Sequence, residues 1–277
     1  MSTNLDIKVK HLTRVEGHGD IVVNMRDGVL EKARLEIVEA PRYFEAMLKG
    51  RSFHEAAIIT SRICGICSLG HQITSLKATE QALGLEVSEQ TVRLRKRLIH
   101  GATSQSNVLH ADFLAAPDFL GAGSVFPLVA THPEVVTRAL RMKRLANDIG
   151  DVVSGRAVHP ITPVPGGFTR IPTEKELLEL KRRLVEDMVP DFAATVDTME
   201  ALVGTIPDFT RETEFISLRS EEEYGLYDGY VQTILADGSR ASYEVADYRS
   251  CTNEYVSPQS TAKYARNRLD SYAAGAL

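Results

Sequence analysis

Hydrophobic and polar positions alternate over residues 7–39, and Asp27-Gly28 supplies a two-residue turn within that stretch. The pattern predicts strands near 7–12, 20–25 and 29–38 in a small antiparallel sheet. Pro41 closes the alternation and helical spacing follows. Short helices are predicted over Tyr43–Lys49 and Phe53–Arg62, then longer ones over Leu69–Leu83 and Val87–Ala116, with Ser88 as an N-cap. Thr131-x-x-Glu134 reads as a capping box opening a helix to about Val153, and Thr173-x-x-Glu176 as another. The helix after Thr173 gathers Leu177, Leu180, Leu184, Met188, Phe192, Val196, Met199 and Val203 on one face, with Pro190 set to kink it. A second β section is predicted at Glu214–Leu218, Gly229–Leu235 and Arg240–Val245, the last two joined at Asp237-Gly238. The fold class is therefore α+β and mostly helical. It reads as a single domain over 1–277, with an N-terminal sheet at about 7–39, a helical core at about 42–206 and a β section at about 212–256. No internal repeat or low-complexity segment interrupts it.

Composition narrows the class without naming a function. A chain of 277 residues can bury ~70–75% of its unfolded surface. Its 43% hydrophobic and 25% charged content is that of an ordinary soluble globular protein. The net charge of −5, with acids and bases interspersed, predicts no nucleic-acid partner and no anionic-membrane surface. No apolar run approaches the ~20 residues of a membrane span. The opening residues have neither the basic head nor the apolar core of a signal peptide, so the expected compartment is the cytoplasm. Three cysteines, two of them close together, do not make a disulfide framework.

Those two cysteines carry the chemistry. In Arg62-Ile63-Cys64-Gly65-Ile66-Cys67 the two-residue spacing lets both sulfurs close on one metal ion or on each other. Arg62 favours the thiolate, which is the form that ligates metals. Ile63 and Ile66 suggest a dry surround. His71, one helical turn beyond Cys67, is placed to offer a ring N–H to a bound sulfur. The same spacing also suits half of a zinc knuckle or a thiol redox pair, and the pair alone does not decide between them.

The flanking segments add candidates, each with a plainer alternative. Glu16, within Arg14-Val15-Glu16-Gly17-His18-Gly19, could be a buried proton carrier or could sit on a solvated hairpin end. Glu45, beside Tyr43 and Phe44, could be drawn inward to a cation or could pair with Lys49 on the helix surface. Asp118 follows Pro117 at the end of a long helix, beyond His110, where a loop acid usually caps or faces solvent. Gly166 and Gly167 follow two prolines and suggest a close approach of backbone to another element. No P-loop, dinucleotide fingerprint or nucleophile elbow is present.

Taken in order, these segments resemble the large, catalytic subunit of [NiFe] hydrogenases. The pieces are Arg14-Val15-Glu16-Gly17-His18, Tyr43-Phe44-Glu45, Arg62-x-Cys64-Gly65-x-Cys67 with His71, Ala116-Pro117-Asp118, and Gly155-Arg156-x-x-His159-Pro160 with Pro165-Gly166-Gly167. The Ala-Pro-Arg-Tyr-Phe-Glu form is most similar to the cytoplasmic, multimeric branch linked to heterodisulfide reductase, coenzyme F420 or NAD(P). The resemblance implies reversible oxidation of H2 to protons and electrons at a Ni–Fe centre bearing CO and cyanide on iron. It implies Cys64 as a terminal nickel ligand and Cys67 as a nickel–iron bridge. It further implies Glu16 as the first proton-relay carboxylate, Glu45 as a ligand of a structural magnesium, His71 as a histidine near the bridging sulfur and Asp118 as an acid near the open metal face. The implied partners are an Fe–S small subunit, with further flavin or Fe–S acceptor subunits beyond it.

The departure from the family pattern also sets expectations. The family completes its metal site with a second Cys-x-x-Cys in an Asp-Pro-Cys-x-x-Cys-x-x-His setting. Here Cys251 stands alone and is expected to be a structural thiol. The ending Tyr272-x-x-Gly275-Ala276-Leu277 is similar to a family segment cut just before an arginine. The expectation is thus a large subunit lacking its C-terminal third and inactive by itself, with an exposed apolar surface. A non-catalytic scaffold or complex I-like relative of the same fold, and a zinc or thiol-redox protein, are the alternatives.

Overall fold

In the computed structural model, residues 4–39 and 42–274 are described. The chain forms two compact units, one built from residues up to 47 together with those from 210 onward, the other from 48–209. The first begins with β1 (Leu5–Val9), β2 (Gly19–Arg26) and β3 (Val29–Ile37), antiparallel in that order. Asp27 and Gly28 both take positive φ, the type of turn that matches strand twist and sets the β2–β3 register. Pro41, expected to end this sheet, lies outside the described residues, as do Ala40 and the final Gly275-Ala276-Leu277. The short helix α1 (Tyr43–Leu48) comes next.

The second unit is helical. It runs through α2 (Phe53–Thr60), a 3-10 turn at Ser61–Ile63, α3 (Ser68–Leu83) and α4 (Glu89–Val108). Ser88 accepts the Thr91 N–H and caps α4 as its type predicts. α4 then passes through a π-helical turn, Leu109–Ala115, into α5 (Ala116–Phe119), so the single helix predicted to Ala116 is interrupted. α6 (Val125–Thr131) and α7 (Pro133–Ser154) follow. The capping box expected at Thr131 does not form. Thr131 ends α6, His132 is the N-cap of α7, and Pro133 occupies the first turn. A proline expels the residue before it from helical geometry, so the chain stops at His132 and restarts.

The core of this unit packs α4 against α7, through Leu94, Leu98, Met142, Leu145 and Ile149. Gly101 permits the contact, because a Cβ there would stand 2.9 Å from Ile149 Cγ2. A two-residue hairpin, β4 (Pro163–Val164) and β5 (Gly167–Phe168), leads into α8 (Glu174–Arg183). Here the predicted capping box between Thr173 and Glu176 is complete. The kink assigned to Pro190 appears as a second π turn, Leu184–Met188, ahead of α9 (Val189–Leu202). Pro190 has no N–H for the preceding turn, and the widened register absorbs the loss. Of the apolar face predicted for this helix only Leu180 is buried. On α9 the buried positions are instead Asp191, clasped by Arg141, and Thr195, bonded by Arg138.

The chain then returns to the first unit with β6 (Glu214–Arg219), β7 (Tyr230–Ile234), β8 (Arg240–Tyr243), β9 (Asn253–Tyr255), β10 (Tyr264–Arg266) and β11 (Tyr272–Ala274). The main sheet has the order β11-β6-β7-β8, with β11 parallel to β6. Glu214 is fully buried and accepts from the Arg268 guanidinium at 3.0 Å, the Asn267 amide at 2.9 Å and the Arg268 backbone at 2.9 Å. The two β sections, separate in sequence, meet in this unit. The Tyr264 hydroxyl donates to the Leu35 carbonyl at 2.8 Å, and the Thr261 N–H to that of Ile37 at 3.1 Å. Cys251 is buried, its thiol donating to the Tyr248 carbonyl at 3.3 Å, and burial pushes it above the ordinary thiol range.

Candidate metal centre

The cysteine turn is built by a change of backbone state over seven residues. α2 closes through the Ser61–Ile63 turn, Cys64 is extended, and Cys67 becomes the N-cap of α3. Gly65 and Ile66 carry the chain between the two sulfurs. The Cys67 N–H donates to Cys64 Sγ at 3.2 Å, which holds the two cysteines as a unit. Cys64 is buried at 7% exposure and Cys67 is exposed. Cys67 also stands at the N-terminal, positive end of the α3 dipole.

His71 lies one turn along α3, its N–H donating to the Cys67 carbonyl at 3.4 Å. Thr60, Ile63, Cys67, Gly70, His71 and Thr74 line one shallow open groove. Burial lowers the His71 imidazole from its ordinary range, so at neutral pH the ring is neutral, with one N–H and one lone pair. Cys67 and His71 thus line one groove, and Cys64 is tied to Cys67 through the Cys67 N–H. Asp118 belongs to the same unit but stands exposed in the first turn of α5 and does not line this groove.

Glu16 and Glu45 belong to the first unit. Glu16 is exposed in the loop between β1 and β2. In the same loop, Gly17 at φ +88° leaves room for Glu39, which bonds His18 Nδ1 at 2.5 Å. Glu45 is neither drawn inward nor bonded to Lys49. It is exposed and pairs with Arg42 at 3.2 Å and Lys263 at 3.7 Å. The Arg42 hydrogen bonds hold its carboxyl below the ordinary range. The inward reading fails because Arg42, three residues earlier, meets the carboxylate at the surface.

Three features escape the sequence pattern. The Gly155–Pro160 segment is strapped onto the cysteine turn. The His159 N–H donates to Ser68 Oγ at 3.0 Å, His159 Nδ1 bonds the Ser61 carbonyl at 2.8 Å, and the Gln72 amide donates to the Pro160 carbonyl at 2.9 Å. Arg95, at 0% exposure, makes a two-pronged pair with Glu80 at 2.7 and 2.6 Å, while the Gly166 N–H donates to the same carboxylate at 2.7 Å. Gly166, at φ +84°, serves the hairpin turn and brings its backbone N–H onto α3, the close approach expected of this glycine pair, although a Cβ on Gly166 itself would meet nothing within 4 Å. Asp112, at 2% exposure on the first π turn, has no hydrogen-bond partner at either oxygen among the described residues. Burial pushes its carboxyl up to about 6, against a lesser pull from Arg138. One acid in a helical run gave no signal of this.

Among the described residues, no group of three or more His, Cys, Asp or Glu side chains converges as a metal site. None of the described helices is long and apolar enough to cross a membrane. Comparison with known proteins points in one direction. Residues 42–132 match the family model for nickel-dependent hydrogenase, and residues 6–40 match one described as HoxL-like. The chain is 30% identical over 279 residues to the alpha chain of sulfhydrogenase 1 from Pyrococcus furiosus, covering 99% of this chain and 63% of that one. It is 32% identical over 278 residues to a component of the F420-non-reducing hydrogenase of Methanothermobacter marburgensis, covering 93% and 57%. The crystal structure of an NAD+-reducing [NiFe]-hydrogenase in the H2-reduced state superposes with a TM-score of 0.87 at 28% identity, over 97% of this chain and 62% of that one. The chain thus spans 63% or less of the length of these relatives.

Proposed function

Because this chain is a homologue of the large subunit of [NiFe] hydrogenases, related to the multimeric F420- and NAD-linked enzymes, we propose that it contributes half of a hydrogen-activating metal site. The observation that carries this reading is the cysteine turn, in which the Cys67 N–H bonds the sulfur of Cys64 at the N-terminus of α3. Two soft thiolates on one turn suit nickel in preference to a hard cation. They fit half of a binuclear donor set and do not complete it.

When bound, a Ni–Fe centre with CO and cyanide on iron supplies the cleavage of H2. The roles proposed for this chain are narrower. Cys64 and Cys67 would hold the metal through their thiolates. His71 offers its ring N–H to the exposed sulfur across the shared groove. Glu16 and Asp118 carry protons, and a magnesium ion at Glu45 would have to replace Arg42 and Lys263 as that carboxylate's partners. Electrons leave through an Fe–S small subunit to flavin or Fe–S acceptor subunits, in the cytoplasm.

The test is anaerobic purification of the tagged chain from its native host, followed by metal analysis and H2-dependent viologen reduction. The expected result is an Fe–S subunit, nickel and dye reduction in the assembled complex, with nickel and activity both lost on Cys64→Ser. The polypeptide alone, with two thiolates, is expected to show neither. A complex free of nickel and unable to reduce dye overturns the reading, and zinc in place of nickel assigns the turn to a different chemistry.

A further inference from the structure

His159 has a task that neither the fold nor the metal ligands assign. Its backbone N–H reaches Ser68 Oγ at 3.0 Å and its ring Nδ1 reaches the Ser61 carbonyl at 2.8 Å. Ser61 and Ser68 are the two ends of the segment that carries Cys64 and Cys67. Both serines are buried, at 2% and 1% exposure, so water competes poorly for either bond. A carbonyl oxygen can only accept, which means that Nδ1 carries the hydrogen, whether the ring is neutral or protonated. Both bonds come from one residue because His159 takes φ +54°, a conformation that histidine and asparagine adopt more readily than most side chains. The next residue adds a third attachment, the Pro160 carbonyl receiving the Gln72 amide at 2.9 Å.

We infer that His159 is a positioning residue for the cysteine pair, clipping the two ends of the Ser61–Ser68 turn so that both sulfurs stand ready for one soft divalent ion. A turn containing Gly65 has backbone freedom that a chelating ion must otherwise remove on binding, and a clip that removes it beforehand raises affinity. Groups that hold metal ligands in place without touching the metal have effects of this kind. What the sulfurs bind rests on the half-site reading above; the clip itself does not.

Two substitutions separate the ring from the backbone. His159→Gly keeps the positive φ but removes the ring donor, and His159→Asn keeps both the φ tolerance and an amide donor. Each is titrated with Co2+, followed by the thiolate-to-metal charge-transfer absorbance. In parallel, iodoacetamide labelling of Cys64 is followed by peptide mass spectrometry, with the thermal midpoint as a control. His159→Gly is expected to weaken Co2+ binding about 10–100-fold and to speed Cys64 labelling about tenfold, while His159→Asn stays within about threefold of the parent in both. A His159→Gly variant indistinguishable from the parent in both readouts overturns the inference. So does an equal loss in both variants that follows the thermal midpoint, since that is general destabilisation. If the parent chain binds no Co2+, the half-site reading fails instead, and the labelling rates still decide whether the clip exists.

Discussion

Glu80 and Asp112 are both carboxyl groups withdrawn from water in the same helical unit, and the fold treats them in opposite ways. Glu80 receives both prongs of Arg95 and the N–H of Gly166. Burial raises its carboxyl, yet these donors outweigh it and hold the group below its ordinary range. Asp112 receives no donor among the described residues, and burial pushes it up to about 6. The difference teaches that depth alone does not distinguish an acid settled in its charged form from one whose ionisation is resisted. The number of donors aimed at it does.

The largest expected effect breaks the satisfied member. Arg95→Ala leaves Glu80 buried without its guanidinium and should cost about 3–5 kcal/mol in urea denaturation. Replacing both partners, as Arg95→Met with Glu80→Leu, should cost far less, because no charge is then left alone. A loss below about 1 kcal/mol from Arg95→Ala would remove the contrast between the two acids.

The next effect sharpens the unsatisfied member, and its sign is opposite. Asp112 rises from 3.8 to about 6 on folding, so the native state binds its proton more tightly. Its contribution to stability is intact below the unfolded value and is lost as pH rises through about 6. Asp112→Asn, which cannot ionise, should therefore be more stable than the parent by about 1–3 kcal/mol at pH 7, with the gap closing near pH 4. Thermal melts of both proteins across that range check it, and a gap that does not change with pH refutes the assignment. The smallest effect belongs to a pair that never left water. Arg182, bonded to Glu179 and Glu186 on the surface of α8, should be replaceable by alanine with no resolvable change in thermal midpoint.

Local rules were legible in the sequence wherever neighbours along the chain decide the outcome. The Asp27-Gly28 turn, the Ser88 cap and the Thr173–Glu176 box depend on a few adjacent residues, and each formed. At Thr131 the local rule also decided, but a different one prevailed, since Pro133 breaks the helix before a capping box can close. The cysteine spacing marked the candidate site, and His71 followed from helical periodicity. What could not be read depends on contacts far apart in sequence. The bond from His159 to Ser61 spans 98 residues, and that from Gln72 to Pro160 spans 88. No pattern along α3 or α4 announces that Glu80 and Arg95 will face each other. The surroundings of Glu45 were half legible, since Arg42 lies three residues away while Lys263 lies far down the chain.

The first unit is assembled from both ends of the described chain, with residues 48–209 lying between its two parts. On a ribosome this becomes a question of timing. β1, β2 and β3 emerge before the helical unit, with Leu5, Ile7 and Val9 exposed even in the finished fold. The Tyr264 hydroxyl and Thr261 N–H that complete the far side of β3 emerge only after the helical unit has been synthesised. The 224 residues from Ile37 to Thr261 take roughly 11–45 s at about 5–20 residues per second. The helical unit, contiguous in sequence, can fold within that interval, while the N-terminal hairpins wait with an open, apolar edge strand. Such an edge is a template for pairing with another nascent chain. The N-terminal sheet is therefore made before the helical unit and completed after it, and it is where a chaperone would have most to do.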